Sequence, residues 1–256
     1  LDKPTDFAPF FRYELPFISF MESQSRSLNY YSDGDIAQNP SILLEYNGSV
    51  TDGHDEYWTK EMRDGYETAQ HLGHNMAFLG ANLGYRPIRL ENSTVSSEFG
   101  RRIIAYKDDL LDPMSKIDPT RSTPYSIQKL ASPRDECNLE GVHWNAVNNI
   151  NATGIFTANS SAIFPHGPPE GTSVPFVTLV ENDFQACQPP FPVYVIMHGE
   201  GYAPSGNFGK YDAVYFTPPG GARVFSSGSW KWGVIAGGVN KTAGAIAIRA
   251  ITTDVL

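Results

Sequence analysis

The apolar positions of this chain change rhythm part-way along it. In residues 7–24, Phe10, Phe11, Phe17, Ile18 and Met21 recur at helical intervals, so a helix is predicted, kinked or opened by Pro16. SLNYY at 27–31 reads as a short strand, and NPSILLEY at 39–46 as a helical turn leading to a second strand near SVTDG. From Thr59 to His74, Met62, Tyr66, Ala69 and Leu72 are spaced for one helix face, and Gly73 suits the stop. NMAFL at 75–79 follows as a buried strand. Helix alternating with strand predicts an α/β fold with a parallel sheet and crossover helices.

After Arg101 the rhythm shortens. RIIAYKD, VPFVTLV, PVYVIMH, DAVYFT and ARVFSSGSW read as short strands between stretches rich in Pro, Gly, Asn and Ser. Residues 112–175 carry many turn formers and read as surface excursions. The end of the chain reads as a helix with Ala245, Ile248 and Ile251 on one side. The expected organisation is one domain over 1–256. Residues 1–110 form an α/β core, 111–210 a loop- and strand-rich excursion, and 211–256 a return to the core.

Composition narrows the partners. With 256 residues and 41% apolar content, a sizeable core is available. The formal charge is -9 and there is no Lys/Arg run. That argues against nucleic acid and anionic membrane as partners. No apolar stretch approaches the ~20 residues that cross a bilayer. Asn-X-Ser/Thr occurs at Asn47, Asn92, Asn151, Asn159 and Asn240, an excess that points to a secreted glycoprotein. Cys137 and Cys187 would then form one disulfide; in a reducing compartment they are two buried thiols. Leu1 is expected to be a processed or cleaved end.

Two stretches carry candidate chemistry. In GHDEYW, His54, Asp55 and Glu56 fall on a loop at the carboxyl end of a strand, where open parallel sheets bind ligands. Alternation lets His54 and Glu56 face one cavity, as a proton carrier and a metal ligand. The competing account is that these residues only satisfy the start of the helix capped by Thr59. In FLGANLGY a strand runs into a glycine-flanked turn like a nucleophile elbow, with Asn82 at its centre. An amide there can orient a substrate or hold an oxyanion; an ordinary turn with Asn in left-handed geometry is the alternative. Tyr57, Tyr85, Phe225 and Trp230 are candidate pocket residues, with core packing the competing account for Phe225 and Trp230. His198 and Glu200, in IMHGEG, are expected in a plain turn at a strand end.

The segment GHDEYWTKEMRDGYETAQHLGHNMAFLGANLGYRPIRLE, residues 53–91, resembles the C-terminal domain of the N,N-dimethylformamidase large (beta) subunit. FFRYELPFISFMES, GRRIIAYKDD and GARVFSSGSWKWG extend the resemblance discontinuously over most of the chain. It implies a glutamine-amidotransferase-like (flavodoxin-like) sheet with helices on both faces, and hydrolysis of a small amide. It also implies a mononuclear iron held by two tyrosines and a glutamate. By motif, Glu56 is the glutamate, His54 the proton carrier and Asn82 the residue that positions substrate. Of the upstream tyrosines Tyr13, Tyr30 and Tyr31, Tyr13 is the candidate ligand, and none aligns with the family's tyrosine positions. Relatives also carry an opening strand before the point where this chain reads Lys3-Pro4-Thr5. Either a separate or cleaved second chain supplies that piece, or the chain is a fragment, or the iron site is lost; a homo-oligomer is the alternative assembly. The five sequons fit a secreted fungal relative better than a cytosolic bacterial amidase. A fold-retaining glycoprotein that only binds is the alternative function.

Overall fold

The computed structural model describes residues 10–178, 180–186 and 188–256. Residues 7–9 of the first expected helix and Cys187 lie outside the described residues. A single π-helical turn, Phe10–Glu14, leads into α1 (Leu15–Ser23), and Pro16 sits in the first turn of α1, where a missing N–H costs nothing. Phe17 and Met21 are buried, but Phe10 and Phe11 are exposed. Helix α2 (Asp33–Gln38) opens with a capping box between Ser32 and Asp35. SLNYY, expected as a strand, pairs with no strand; β1 (Gly48–Gly53) is the first to join a sheet. Then come β2 (Tyr57–Thr59), α3 (Lys60–His71), β3 (Asn75–Gly80), β4 (Arg86–Glu91) and β5 (Arg102–Ile104). Thr59 caps α3 by accepting from the Met62 N–H, and Gly73 follows at a φ of 86°. Met62, Tyr66 and Ala69 are buried as their spacing predicts, whereas Leu72, the C-cap of α3, is 67% exposed.

The first part of the excursion, 111–186, is built from short elements, among them α4 (Glu136–Glu140), β6 (His143–Trp144), β7 (Gly154–Phe156), α5 (Ala158–Ile163), β8 (Ser173–Val174) and β9 (Asp183–Phe184). Of VPFVTLV, expected as a strand, only Val174 lies in one among the described residues. Two long strands follow, β10 (Val193–Tyr202) and β11 (Phe208–Phe216), then β12 (Val224–Ser226), α6 (Lys231–Gly237) and α7 (Ala243–Val255).

The main sheet has the order β1-β3-β12-β11-β10-β7-β8. Only β1, β3 and β12 run parallel; β11, β10, β7 and β8 add as antiparallel neighbours. The expectation of a parallel sheet is thus corrected to a mixed one. The cause is the β10–β11 pair, which a short connection joins as a hairpin, and hairpin neighbours must be antiparallel. His198 and Glu200 lie inside β10, not at a strand-end turn, and His198 Nδ1 is 2.6 Å from Asp212 Oδ1 on β11.

Alternation along β3 divides the core. Ala77 and Leu79 face α1, α6 and α7, with Phe225, Trp232, Ile248 and Ile251. Met76 and Phe78 face α3, with Trp58, Met62 and Tyr66. Each face buries its own apolar layer, and the strand tips project between them.

Candidate functional site

The tips of β1 and β3 are held unusually close. Gly53 and Gly80 are register partners at the ends of these parallel strands. A Cβ on Gly80 would lie 2.2 Å from the Gly53 carbonyl oxygen, so no other residue fits without moving the strands apart. Beyond them the two candidate loops run side by side. The Gly84 N–H donates to the Asp55 carbonyl at 2.9 Å and the Arg86 N–H to the Glu56 carbonyl at 2.8 Å. Asn82 adopts a left-handed conformation, φ 58°, at the apex of the glycine-flanked turn.

His54 and Glu56 do converge. His54 Nε2 is 3.4 Å from Glu56 Oε2 and 2.8 Å from Glu181 Oε2. The Glu181 contact is an ion pair without hydrogen-bond alignment: its buried Oε2 accepts no hydrogen bond. On its other oxygen, Glu56 is held by Arg86 Nε at 2.8 Å. Arg86 itself donates to the Tyr125 carbonyl and lies over the Tyr125 ring, 3.9 Å from its centroid. The His54 ring packs on the Trp230 indole at 3.9 Å between centroids, and Tyr13 meets the same indole edge-on at 5.9 Å. Trp230 is fixed by its Nε1–H, which donates to the Ala81 carbonyl at 3.1 Å.

Charge follows this geometry. Burial works against the imidazolium of His54, but the Glu181 and Glu56 carboxylates outweigh it and push the pKa up to about 9. Glu56 is opposed by burial and yet held below its ordinary value by His54 and Arg86. Asp183, two residues beyond Glu181, is buried and pushed well above the carboxylate range. Both its oxygens receive the Asn82 N–H, at 2.9 and 3.1 Å. Asn82 Oδ1 is buried with no partner. His54 is therefore a cation at neutral pH, standing between two carboxylates.

The remaining expected site residues are dispersed. Phe225 is buried in the core between Phe164 and Trp232, so it does not line the site. Tyr57 is turned to Lys107, whose Nζ is 2.7 Å from the phenol oxygen. Tyr85 packs edge-on to Trp144 and Tyr125. Tyr30 donates to Glu22 at 2.6 Å, and Tyr31 shares a hydrogen bond with Tyr46. Cys137 is buried on α4. Asn47, Asn92, Asn151 and Asn240 are exposed, while Asn159 is half-buried and its Nδ2 donates to the Val195 carbonyl. Glu181, Asp183 and Arg86 were not anticipated. Arg86 lies within the quoted segment, but Lys60 and Arg63 come between it and Glu56 along the chain, so spacing did not single it out; Glu181 and Asp183 sit in the excursion, and only folding brings them to the strand tips.

The implied iron finds no ready ligand set in this arrangement. Both oxygens of Glu56 face cations, Arg86 and His54, and Tyr13 contacts Trp230 and Arg12 rather than Glu56. Among the described residues no three His, Cys, Asp or Glu side chains are grouped to hold a metal ion.

A family model described as "N,N-dimethylformamidase beta subunit-like, C-terminal" matches residues 2–241. A search of curated proteins finds no match to the chain.

Proposed function

The chain belongs to the N,N-dimethylformamidase beta subunit-like family, and from that premise we propose that it hydrolyses a small amide C–N bond at the His54–Glu181–Glu56 centre. The observation that carries this is an imidazolium between two carboxylates at adjoining strand tips. Amide hydrolysis needs a proton for the departing nitrogen and a base for the attacking water. His54 delivers the first to the amide nitrogen. Glu181, whose nearby oxygen accepts no hydrogen bond, takes a proton from the water as its oxygen bonds to the carbonyl carbon. The C–N bond breaks, releasing a carboxylic acid and an amine. Glu56 and Arg86 hold His54 in place, and Asn82 positions substrate through its free Oδ1. The glutamine-amidotransferase-like ancestry that the family implies is part of the same proposal.

The test is amine release from a panel of small formamides and acetamides, with and without added iron. Wild-type turnover that falls at least a hundredfold in His54→Gln and Glu181→Gln supports the proposal. No turnover of any amide in either condition overturns it. It would favour the second reading, a binding protein, for which the internal pairing of both Glu56 oxygens speaks.

We further propose that the protein is secreted, glycosylated at Asn47, Asn92, Asn151 and Asn240, and bridged between Cys137 and Cys187. Four exposed sequons support this. A mass loss on endoglycosidase treatment, and a separate gain of about 2 Da on reduction of one disulfide, would be expected; an unmodified mass would overturn it.

A further inference from the structure

The turn that ends β3 is braced from two sides. The Ala81 carbonyl accepts the Trp230 Nε1–H at 3.1 Å, and the Asn82 N–H donates to both oxygens of Asp183, at 2.9 and 3.1 Å. Each brace also belongs to His54. The Trp230 indole is the platform under its ring, and Glu181, two residues before Asp183, is its nearest carboxylate.

The segment that carries Glu181 and Asp183 is held through its backbone and through Asn182. Asp183 pairs with Trp144 in the β6–β9 ladder, and its N–H donates to the Gly228 carbonyl at 3.0 Å. The Asn182 carbonyl accepts the Asn145 N–H at 3.1 Å, and Asn182 Nδ2 donates to the Lys210 carbonyl at 2.6 Å. Glu181 is thus delivered to His54 without help from the Asp183 carboxyl. That carboxyl, 2% exposed, is left to act on Asn82.

Asn82 has something for it to hold. Its φ of 58° is left-handed, a conformation that a residue with a Cβ keeps only where its surroundings impose it. Rotation about φ swings the rest of the residue relative to its N–H. An immobile acceptor on that N–H therefore fixes the direction in which the Asn82 side chain leaves the turn. Loss of the acceptor leaves a buried N–H unpaired and the turn free to relax.

We propose that Asp183 is a positioning residue of the His54–Glu181–Glu56 centre, acting through Asn82: its carboxyl captures the Asn82 N–H and so aims the Asn82 side chain at the bound substrate. The substrate in that statement rests on the amide reading above; the hold on Asn82 does not.

Three measurements on the full chain test this. Asp183→Ala removes the acceptor, and Asp183→Asn keeps an oxygen for the same N–H. Amide-proton exchange at Asn82, followed by NMR, should quicken at least tenfold in Asp183→Ala and stay at the wild-type rate in Asp183→Asn. The His54 imidazole should keep its wild-type midpoint in both, because Glu181 and Glu56 set it. On a small amide that the wild type cleaves, kcat/KM should fall about tenfold or more in Asp183→Ala and recover in Asp183→Asn. Added to Asn82→Ala, the Asp183→Ala change should cost little more, since the two act as a unit. Unchanged exchange at Asn82 in folded Asp183→Ala, a His54 midpoint that moves with it, or full additivity of the two alanine variants would overturn the proposal. Circular dichroism establishes folding; if Asp183→Ala does not fold, Asp183→Ser, whose hydroxyl falls one bond short, takes its place. Should the wild type cleave no amide, the amide reading falls, and the exchange rate and His54 midpoint alone decide whether Asp183 holds Asn82.

Discussion

The His54 imidazole lies 3.9 Å from the Trp230 indole, centroid to centroid, and its Nε2 stands 2.8 Å from Glu181. Each of these partners lies more than a hundred residues along the chain from His54. One gives the ring a platform and the other gives it a charge, so orientation and proton affinity are set independently.

Removing the charge partner should therefore separate the two effects. Glu181→Gln is expected to return the His54 pKa from about 9 toward its ordinary 6.5, since burial then acts against less opposition. A proton NMR titration of the imidazole reads this directly. An unchanged His54 titration would show that Glu56 alone holds the proton.

The same shift has a consequence for stability. A pKa raised by folding stabilises fully below the unfolded value and ceases to do so as pH rises through the folded one. The His54 contribution should be complete below pH 6.5 and vanish by about pH 9. Melting temperatures of wild type and His54→Gln should differ most at pH 6 and converge above pH 9. Parallel curves across this range would contradict the assignment.

Gly80→Ala tests the close approach of the strand tips. The added methyl would meet the Gly53 carbonyl at 2.2 Å and Leu83 at 2.9 Å. Overpacking of this kind costs about 1–3 kcal/mol, which in a chain of this size lowers Tm by roughly 2–4 °C per kcal/mol. Denaturant melts give the cost, and the variant should also lose the raised His54 pKa as the loops separate.

Trp230→Phe keeps a ring under His54 but deletes the indole N–H that ties it to the Ala81 carbonyl. Its expected cost in stability is about 1 kcal/mol, the ordinary net worth of such a bond. A loss above about 3 kcal/mol would mean that the indole supports the core, not only the turn.

Asp52→Asn should flatten the pH dependence of stability on the alkaline side of the carboxylate range. The carboxyl is raised well above its ordinary 3.8 by burial and then by Glu14. Its folded form loses stability as pH rises past that ordinary value toward the raised one. As pH rises above about 4, the wild type should lose more stability than the variant, by thermal melt.

Much of the scaffold is legible in local pattern. Thr59 and Gly73 bound α3, the apolar run at 75–80 becomes β3, and Asn82 takes the left-handed turn that two flanking glycines allow. These features depend on residues a few positions apart, which is the range over which periodicity and turn chemistry act. His54 and Glu56 belong to the same class, because two-residue spacing next to a strand is enough to turn both side chains one way.

What tertiary structure alone decided is everything set by non-local pairing. SLNYY has strand composition but finds no ladder partner, whereas the β10–β11 hairpin imposes antiparallel order on half of a sheet that local alternation presents as parallel. Phe225 and Trp230 lie five positions apart in one motif, yet one fills the core and the other carries His54. Glu181 becomes part of the centre only because the excursion folds back over the strand tips. A side chain's neighbours across the fold determine its charge and exposure, and a linear pattern holds no record of them.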